Sequence, residues 1–250
     1  MPEAPSQEHF DRQYERRAFF APNDVAFVIY DPETWRQTKE WARRAARIAD
    51  FGAGGGTLLG NIAKETDAEL VAVEFSQSAQ ELLRARVPGA TVLGEDVAHT
   101  SLETDSIDLV VSAMTIEHVE EAPFLKEVRR VLRDNGHFLV TTVMRSPRAW
   151  YFYRDGNGRP VLEPTHRREY ASSEEFLKIL DASGFRALSV RTPRIRYPLV
   201  DPLIKLCFGH GRGGAWRRWP ATRAGEGLRK LLRVPIPGYR AIEALCIKKT

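Results

Sequence analysis

The residues with the clearest chemical meaning form a glycine-rich turn, Asp-Phe-Gly-Ala-Gly-Gly-Gly, from Asp50 to Gly56. Glycines there let the backbone turn sharply and let a ligand approach the main chain. Two phosphate-binding motifs fail, because a dinucleotide loop needs a small residue where Thr57 stands and a phosphate loop needs lysine where Asn61 stands. Asp50 at the start of the turn would also repel a pyrophosphate. The turn therefore predicts a site for a cationic ligand.

Two further carboxylates follow the next two predicted strands. Glu74 lies 24 residues after Asp50, and Asp96 follows the third strand. A carboxylate can accept two hydrogen bonds from a ribose diol, or one from an adenine amino group. Each of these residues alone could be a helix cap or a solvated loop residue. Three carboxylates at successive strand ends instead predict a nucleoside-like ligand that carries positive charge.

The elements that position these residues alternate between short apolar runs and helical patterns. Predicted strands cover residues 48–51, 69–74, 91–93, 107–112, 137–143, 185–191 and 241–248. Predicted helices cover residues 5–17, 32–47, 57–64, 76–86, 123–132 and 172–182. Strands separated by helices indicate βαβ units and a parallel sheet covered on both faces. The fold class is therefore α/β.

The core segments resemble the class I S-adenosylmethionine-dependent methyltransferases, in particular their small-molecule branch. Three motifs carry the resemblance: Asp50-x-Gly52-x-Gly54-x-Gly56, Val73-Glu74-Phe75 and Glu95-Asp96-Val97. Residues 124–140 also resemble a signature of that branch, with Asp134-Asn135 where the family has Pro-Gly. The resemblance covers roughly residues 45–192 and the last strand, and it does not identify the substrate.

This resemblance implies a Rossmann-like doubly wound sheet of seven strands with an antiparallel final strand. It also implies S-adenosyl-L-methionine as cofactor and S-adenosyl-L-homocysteine as product. The implied cofactor-binding residues are Asp50, Gly52, Ala53, Gly54, Gly56, Glu74, Phe75, Asp96, Val97, Ser112 and Ala113. Transfer would be an in-line displacement in which the protein supplies alignment. We expect no bound metal, because Cys207 and Cys246 lack zinc-binding spacing.

Three residues are candidates for the acceptor side. The segment 112–118 resembles the family segment that faces the methionine moiety and the substrate, which makes His118 a candidate base or hydrogen-bond partner. His166 lies on the loop after the fifth strand. Phe10 to Tyr14 resembles a family cover helix, so Tyr14 either closes over the cofactor or packs. The alternatives are a helix-capping role for His118 and a surface position for His166.

Charge is unevenly distributed along the chain. The net charge of +4 combines −7 in residues 1–190 with +11 in residues 191–250. We divide a single domain into N-terminal cover helices (1–47), a cofactor-binding core (48–192), a basic insertion (193–240) and a last strand (241–250). The insertion is predicted to be a lid over the acceptor. Its alternatives are a membrane-contacting surface, an RNA-binding surface and a solvated arginine-rich face.

Function and location follow as expectations. The first hypothesis is methyl transfer to oxygen or nitrogen of a small-molecule acceptor such as a specialised metabolite. The alternatives are an RNA methyltransferase and a methyltransferase of a lipid-like acceptor. We expect no nucleic-acid partner and no membrane partner. A cytoplasmic location is expected, since neither a signal peptide nor a run of 18 apolar residues is visible.

Overall fold

The computed structural model describes residues 7, 8, 11, 25–146, 149, 151, 153–154, 158–163, 165–198 and 223–249. The α-helices with described bounds are α1 (Pro32–Ala42), α2 (Thr57–Ile62), α3 (Gln77–Arg86), α4 (Glu121–Val131), α5 (Ser173–Ala182) and α6 (Arg223–Leu231). The strands are β1 (Arg47–Phe51), β2 (Glu69–Val73), β3 (Thr91–Leu93), β4 (Ile107–Ala113), β5 (Leu132–Met144), β6 (Tyr153–Arg154), β7 (Pro160–Val161), β8 (Phe185–Arg191), β9 (Arg194–Pro198) and β10 (Arg233–Lys248). Short 3-10 helices span Val25–Phe27 and Ile116–His118.

The main sheet confirms the α/β class and its doubly wound topology. Its strand order is β3-β2-β1-β4-β5-β10-β8, with β9 also paired to β10. Strands β1 to β5 are parallel, and β10 runs antiparallel to its neighbours. Within the described part of the chain this sheet has eight strands rather than the seven expected. The additional strand, β9, lies in the predicted insertion.

Apolar residues on both faces of the sheet explain why its strands read as nearly continuous apolar runs. In β1, Ala49 and Phe51 pack into one buried cluster with residues of α4 and α5. Ile48 packs into the opposite cluster with residues of α1, α2 and α3. The strand order reverses between β1 and β4. In open α/β sheets, ligands bind in the crevice at such a switch point.

Several element bounds differ from the sequence prediction. Helix α1 ends at Ala42, not at residue 47, because the Ala46 and Arg47 N–H groups donate to the Asp108 carboxylate at 2.9 and 2.8 Å and so begin β1. Strand β5 begins early, with Asn135 at φ +59° where the register against β4 shifts. Asn135 and Gly136 thus lie at an irregularity inside the strand.

The C-terminal strand also begins earlier than predicted. Strand β10 begins at Arg233 rather than at residue 241, since its first part pairs with β9. The insertion 193–240 therefore contains β9, α6 and the start of β10, while its residues 199–222 lie outside the described residues. No described helix has the length and apolar character needed to cross a bilayer.

Candidate active site

The glycine turn connects β1 to α2 and holds three glycines in the left-handed region. Gly52, Gly54 and Gly56 have φ values of +77°, +54° and +76°, which side chains rarely tolerate. A Cβ on Gly52 would also collide with the Thr115 side chain, which follows β4. The N–H of Gly52 donates to the Val73 carbonyl at 2.9 Å, which ties the turn to the end of β2. The spacing of the glycines is therefore a requirement of the backbone conformation.

Glu74 joins this turn to the start of α3. Its Oε2 accepts from the Gly54 N–H at 2.7 Å, and its Oε1 accepts from the Ser76 N–H at 2.8 Å. The side chain is buried. Burial raises the pKa of Glu74, while the backbone N–H donors oppose that rise. Because each carboxylate oxygen has two lone pairs, Glu74 can still accept from a ligand diol.

Asp50 lies deeper in the same site. It is 1% exposed, and the Leu59 N–H donates to its carboxylate. Among the described residues, nothing donates a hydrogen bond to its Oδ2 atom. Burial and the charge of Glu74 raise the pKa of Asp50 to about 8. Buried polar atoms are normally partnered, so this oxygen points to a missing donor, and a cationic group would suit it.

The other predicted cofactor residues occupy the same edge of the sheet. Phe75 is 40% exposed, and Val97 is buried. Asp96 is exposed, and its Oδ1 accepts from the Ala98 N–H at 2.8 Å. The Ser112 hydroxyl donates to the Phe51 carbonyl at 2.7 Å, which joins the ends of β4 and β1. Asp50, Glu74 and Ser112 therefore lie at the ends of β1, β2 and β4 around the switch point, and Asp96 and Val97 follow the outer strand β3.

Part of the predicted N-terminal helix lies beside this edge. Residues 7, 8 and 11 are helical. The Gln7 side chain donates to the Phe75 carbonyl at 2.9 Å. The Asp11 carboxylate accepts from the Ser76 hydroxyl at 2.6 Å and from the Ser78 N–H at 3.2 Å. Tyr14 lies outside the described residues, so its role stays a prediction.

The two predicted acceptor-side histidines lie together. The rings of His118 and His166 are 4.9 Å apart in an edge-to-face arrangement. His118 lies in the 3-10 helix after β4, with Nδ1 3.4 Å from the Thr165 carbonyl. His166 Nδ1 is 2.9 Å from the Glu169 carboxylate. The loop is fixed to the 3-10 helix by the Arg167 N–H, which donates to the Glu117 carbonyl at 2.7 Å.

The pKa values of the two histidines are shifted in opposite directions. Burial lowers the pKa of His118. Burial also acts to lower the pKa of His166, but the hydrogen bond with Glu169 and the charges of Glu117 and Glu163 outweigh it, so that pKa is raised. The sequence pattern indicated both histidines but not the buried Glu117, which has a carboxylate oxygen within 4.8 Å of a ring nitrogen of each. Its position next to His118 was the available signal.

Comparison with known proteins agrees with this geometry. A family model described as a methyltransferase domain matches residues 49–140. An uncharacterized methyltransferase of Mycobacterium tuberculosis is 33% identical over 190 residues, which cover 68% of this chain and 78% of the relative. A "Probable S-adenosylmethionine-dependent methyltransferase" of the same species is 30% identical over 145 residues, 56% of this chain and 49% of the relative. The chain thus spans about half the length of that second relative.

A solved structure shares the fold. The 1,6-didemethyltoxoflavin-N1-methyltransferase of Burkholderia thailandensis, bound to S-adenosylhomocysteine, superposes with a TM-score of 0.61 at 14% identity. The match covers 98% of this chain and 87% of that one. The fold is thus a doubly wound α/β sheet with a glycine turn and carboxylates beside its switch point. Together, the fold and the relatives show that this chain belongs to the class I S-adenosylmethionine-dependent methyltransferase family.

Proposed function

We propose that this chain transfers the methyl group of S-adenosyl-L-methionine to an oxygen or nitrogen of a small-molecule acceptor. The observation that carries the proposal is the buried Asp50 carboxylate, whose Oδ2 has no donor among the described residues, beside a left-handed glycine turn. That pair suits a ligand with a cationic group that approaches the main chain closely. When bound, the cofactor would supply an electrophilic methyl group on a positively charged sulfur.

The proposed work of the residues is binding and alignment. Asp50 would pair with the cationic amino group of the cofactor, and Glu74 would accept from its ribose hydroxyls. Asp96 and Phe75, both exposed at the same sheet edge, would border the adenine. Alignment of two reactants in near-attack geometry can supply roughly 7–11 kcal/mol of the barrier reduction. Methyl transfer is therefore possible without a covalent enzyme intermediate.

His118 and His166 are proposed to face the acceptor. His118 follows β4, and its N–H donates to the carbonyl of Thr115, whose hydroxyl lies 3.5 Å from the Gly52 carbonyl oxygen in the glycine turn. His166 packs against the His118 ring. Their ring nitrogens offer hydrogen bonds to a polar acceptor atom. A small polar acceptor fits this pair of half-buried residues better than a long polymer does.

A lipid-like acceptor is the second candidate, and helix α6 favours it. Leu231 is 78% exposed, and Leu228 and Leu232 are 36% and 39% exposed. In its last turn Lys230 is exposed, whereas Arg229 is buried over the Phe27 ring. Basic helices with apolar residues on the surface bind at membrane interfaces. This surface would bring the site to a membrane-borne acceptor.

One transfer experiment tests both candidates. The full chain is incubated with S-adenosylmethionine labelled in its methyl group, and separate reactions receive pools of small hydroxyl- and amine-bearing compounds, extracted lipids or total RNA. We expect label in a small-molecule product, and none with the Gly54→Arg variant, whose side chain would fill the turn. Label confined to lipid would replace the first candidate with the second. Label confined to RNA, or no transfer in any reaction, would refute both.

A further inference from the structure

Three side chains with metal-binding atoms meet beside the proposed acceptor site. One oxygen of Glu117 and one ring nitrogen each of His118 and His166 all lie within 4.8 Å of one another. Glu117 and His118 come from the 3-10 helix after β4, and His166 comes from the loop after β7. The cluster is separate from the carboxylates Asp50, Glu74 and Asp96 that are assigned to the cofactor.

The spacing of these atoms suits a single ion. Three atoms this close always have a point within about 2.8 Å of all of them, and zinc binds histidine nitrogen or carboxylate oxygen at about 2.0–2.2 Å. Each side chain would therefore need to move by less than about 1 Å to bind one metal. Side-chain adjustments of that size need no rearrangement of the backbone.

Each of the three ligands is oriented by another group. His166 Nδ1 is 2.9 Å from Glu169 Oε1, and His118 Nδ1 is 3.4 Å from the Thr165 carbonyl. Both partners are oxygens that accept, so a neutral ring that donates to them from Nδ1 carries its lone pair on Nε2. Metal-binding histidines characteristically donate their other N–H to a carboxylate or a backbone carbonyl.

The carboxylate ligand is held in the same way. Glu117 is 1% exposed, and the Thr142 hydroxyl donates to its Oε2 at 3.0 Å. A buried carboxylate with one neutral donor is stabilised further by a cation. Glu163 adds negative charge, since its Oε2 lies 3.9 Å from His166 Nε2.

The two arginines of the same loop form ion pairs with carboxylates outside the cluster. Arg167 pairs with Glu120 at 2.9 Å, and Arg168 pairs with Glu121 and Glu175 at 2.8 and 2.9 Å. Their guanidinium groups therefore neutralise surface carboxylates and not Glu117. The cluster keeps a local excess of negative charge, which favours a bound cation.

We propose that Glu117, His118 and His166 bind a divalent first-row transition-metal ion, with Zn²⁺ as the representative probe. Two imidazoles and a carboxylate are a ligand set that zinc and non-haem iron accept, whereas magnesium and calcium prefer oxygen ligands alone. Three protein ligands leave coordination positions open. An acceptor hydroxyl or carboxylate could occupy one, where the metal would lower the pKa of a hydroxyl. This site departs from our expectation, based on the isolated cysteines, of no metal.

Metal binding can be measured without methyl transfer or cofactor. The full chain is treated with a chelator, and Co²⁺ is titrated while its visible d–d absorption is followed, with Zn²⁺ added afterwards as competitor. We expect one equivalent of Co²⁺ to bind and to be displaced by Zn²⁺. Paramagnetically shifted imidazole N–H signals in the NMR spectrum of the Co²⁺ form should report two histidine ligands, a readout that needs no variant.

Variants identify the ligands. His166→Ala and Glu117→Gln should weaken Co²⁺ binding by at least about a hundredfold, and Glu169→Gln, which only orients a ligand, by about 10–100-fold. His99→Ala is the matched control, because His99 is exposed and is not a member of the cluster. S-adenosylhomocysteine binding by each variant shows that it is folded and separates this proposal from the proposed function.

Two results would overturn the metal site. One is wild-type protein that binds no Co²⁺ or Zn²⁺ and shows no shifted imidazole signals. The other is binding that His166→Ala and Glu117→Gln weaken no more than His99→Ala does. In either case the cluster would be a hydrogen-bonded network that holds the loop after β7 against the 3-10 helix.

Discussion

The proposed pairing of the cofactor with the buried carboxylate Asp50 should make cofactor affinity depend on pH. Burial, with the charge of Glu74, raises the pKa of Asp50 from 3.8 to about 8. The folded protein without cofactor therefore holds a proton on Asp50 at neutral pH, whereas pairing with a cationic amino group requires the carboxylate. Binding must release that proton, so the apparent affinity should rise with pH up to about 8. Glu74, whose pKa is also raised, acts in the same direction.

The magnitude follows from the fraction of Asp50 that is ionised. With a pKa of about 8, half of the carboxyl groups are ionised at pH 8, about a tenth at pH 7 and about one in a hundred at pH 6. Affinity for S-adenosylhomocysteine should therefore rise about fifty-fold between pH 6 and pH 8, or about 2 kcal/mol. Titration calorimetry in two buffers of different ionisation enthalpy would measure both the affinity and the released proton.

The control is a comparison of two carboxylates. Asp50→Asn should bind more weakly than wild type at pH 8 and should lose most of the pH dependence, since no proton remains to be released. Asp96→Asn alters an exposed carboxylate and should keep the wild-type pH profile. Affinity that is flat between pH 6 and pH 8, or that falls, would refute this reasoning, as would an Asp50→Asn variant with the wild-type slope.

Two further predictions concern stability. Gly52→Ala forces a side chain into a backbone with φ +77° and against Thr115. This variant should lower the free energy of unfolding by at least about 1–2 kcal/mol and weaken S-adenosylhomocysteine binding. The control Gly89→Ala, whose new Cβ meets nothing within 4 Å, should change thermal stability little. The Glu243 side chain is buried under the N-terminus of α1, and burial raises its pKa to about 7. Because the pKa is higher in the folded state than in the unfolded state, protonated Glu243 stabilises the fold at low pH. That contribution to the free energy of unfolding is lost as the pH rises from about 4.5 to 7. Denaturant unfolding should therefore show that the free energy of unfolding falls less between pH 5 and pH 8 for Glu243→Gln than for wild type, by up to about 3 kcal/mol. An equal decrease in both proteins would contradict this prediction.

The positions of the residues proposed to bind the cofactor were predictable because their signals are local. A left-handed glycine turn requires glycines at fixed positions, and parallel strands place their carboxyl ends at one edge. Asp50, Glu74 and Asp96 could thus be located from spacing alone. The hydrogen bond from the Gly54 N–H to Glu74 could not be predicted, because it depends on the conformation of the turn.

The acceptor half depends on contacts between distant segments. His118 and His166 were identified one by one, but their proximity and the burial of Glu117 near them follow from packing of the loop after β7 on the 3-10 helix. The early start of β10 had a similar cause. Residues 233–240 read as part of the insertion, and they extend the strand only because β9 pairs with them.

The central claim, that this chain binds S-adenosylmethionine at the Asp50–Gly56 turn, is tested most directly by calorimetry with S-adenosylhomocysteine at pH 8. We predict one binding site per chain for wild type and no detectable binding for Gly54→Arg, with Gly89→Arg, altered at an exposed glycine, as the matched control that still binds. Absence of binding by wild type, or equal binding by Gly54→Arg, would contradict the account.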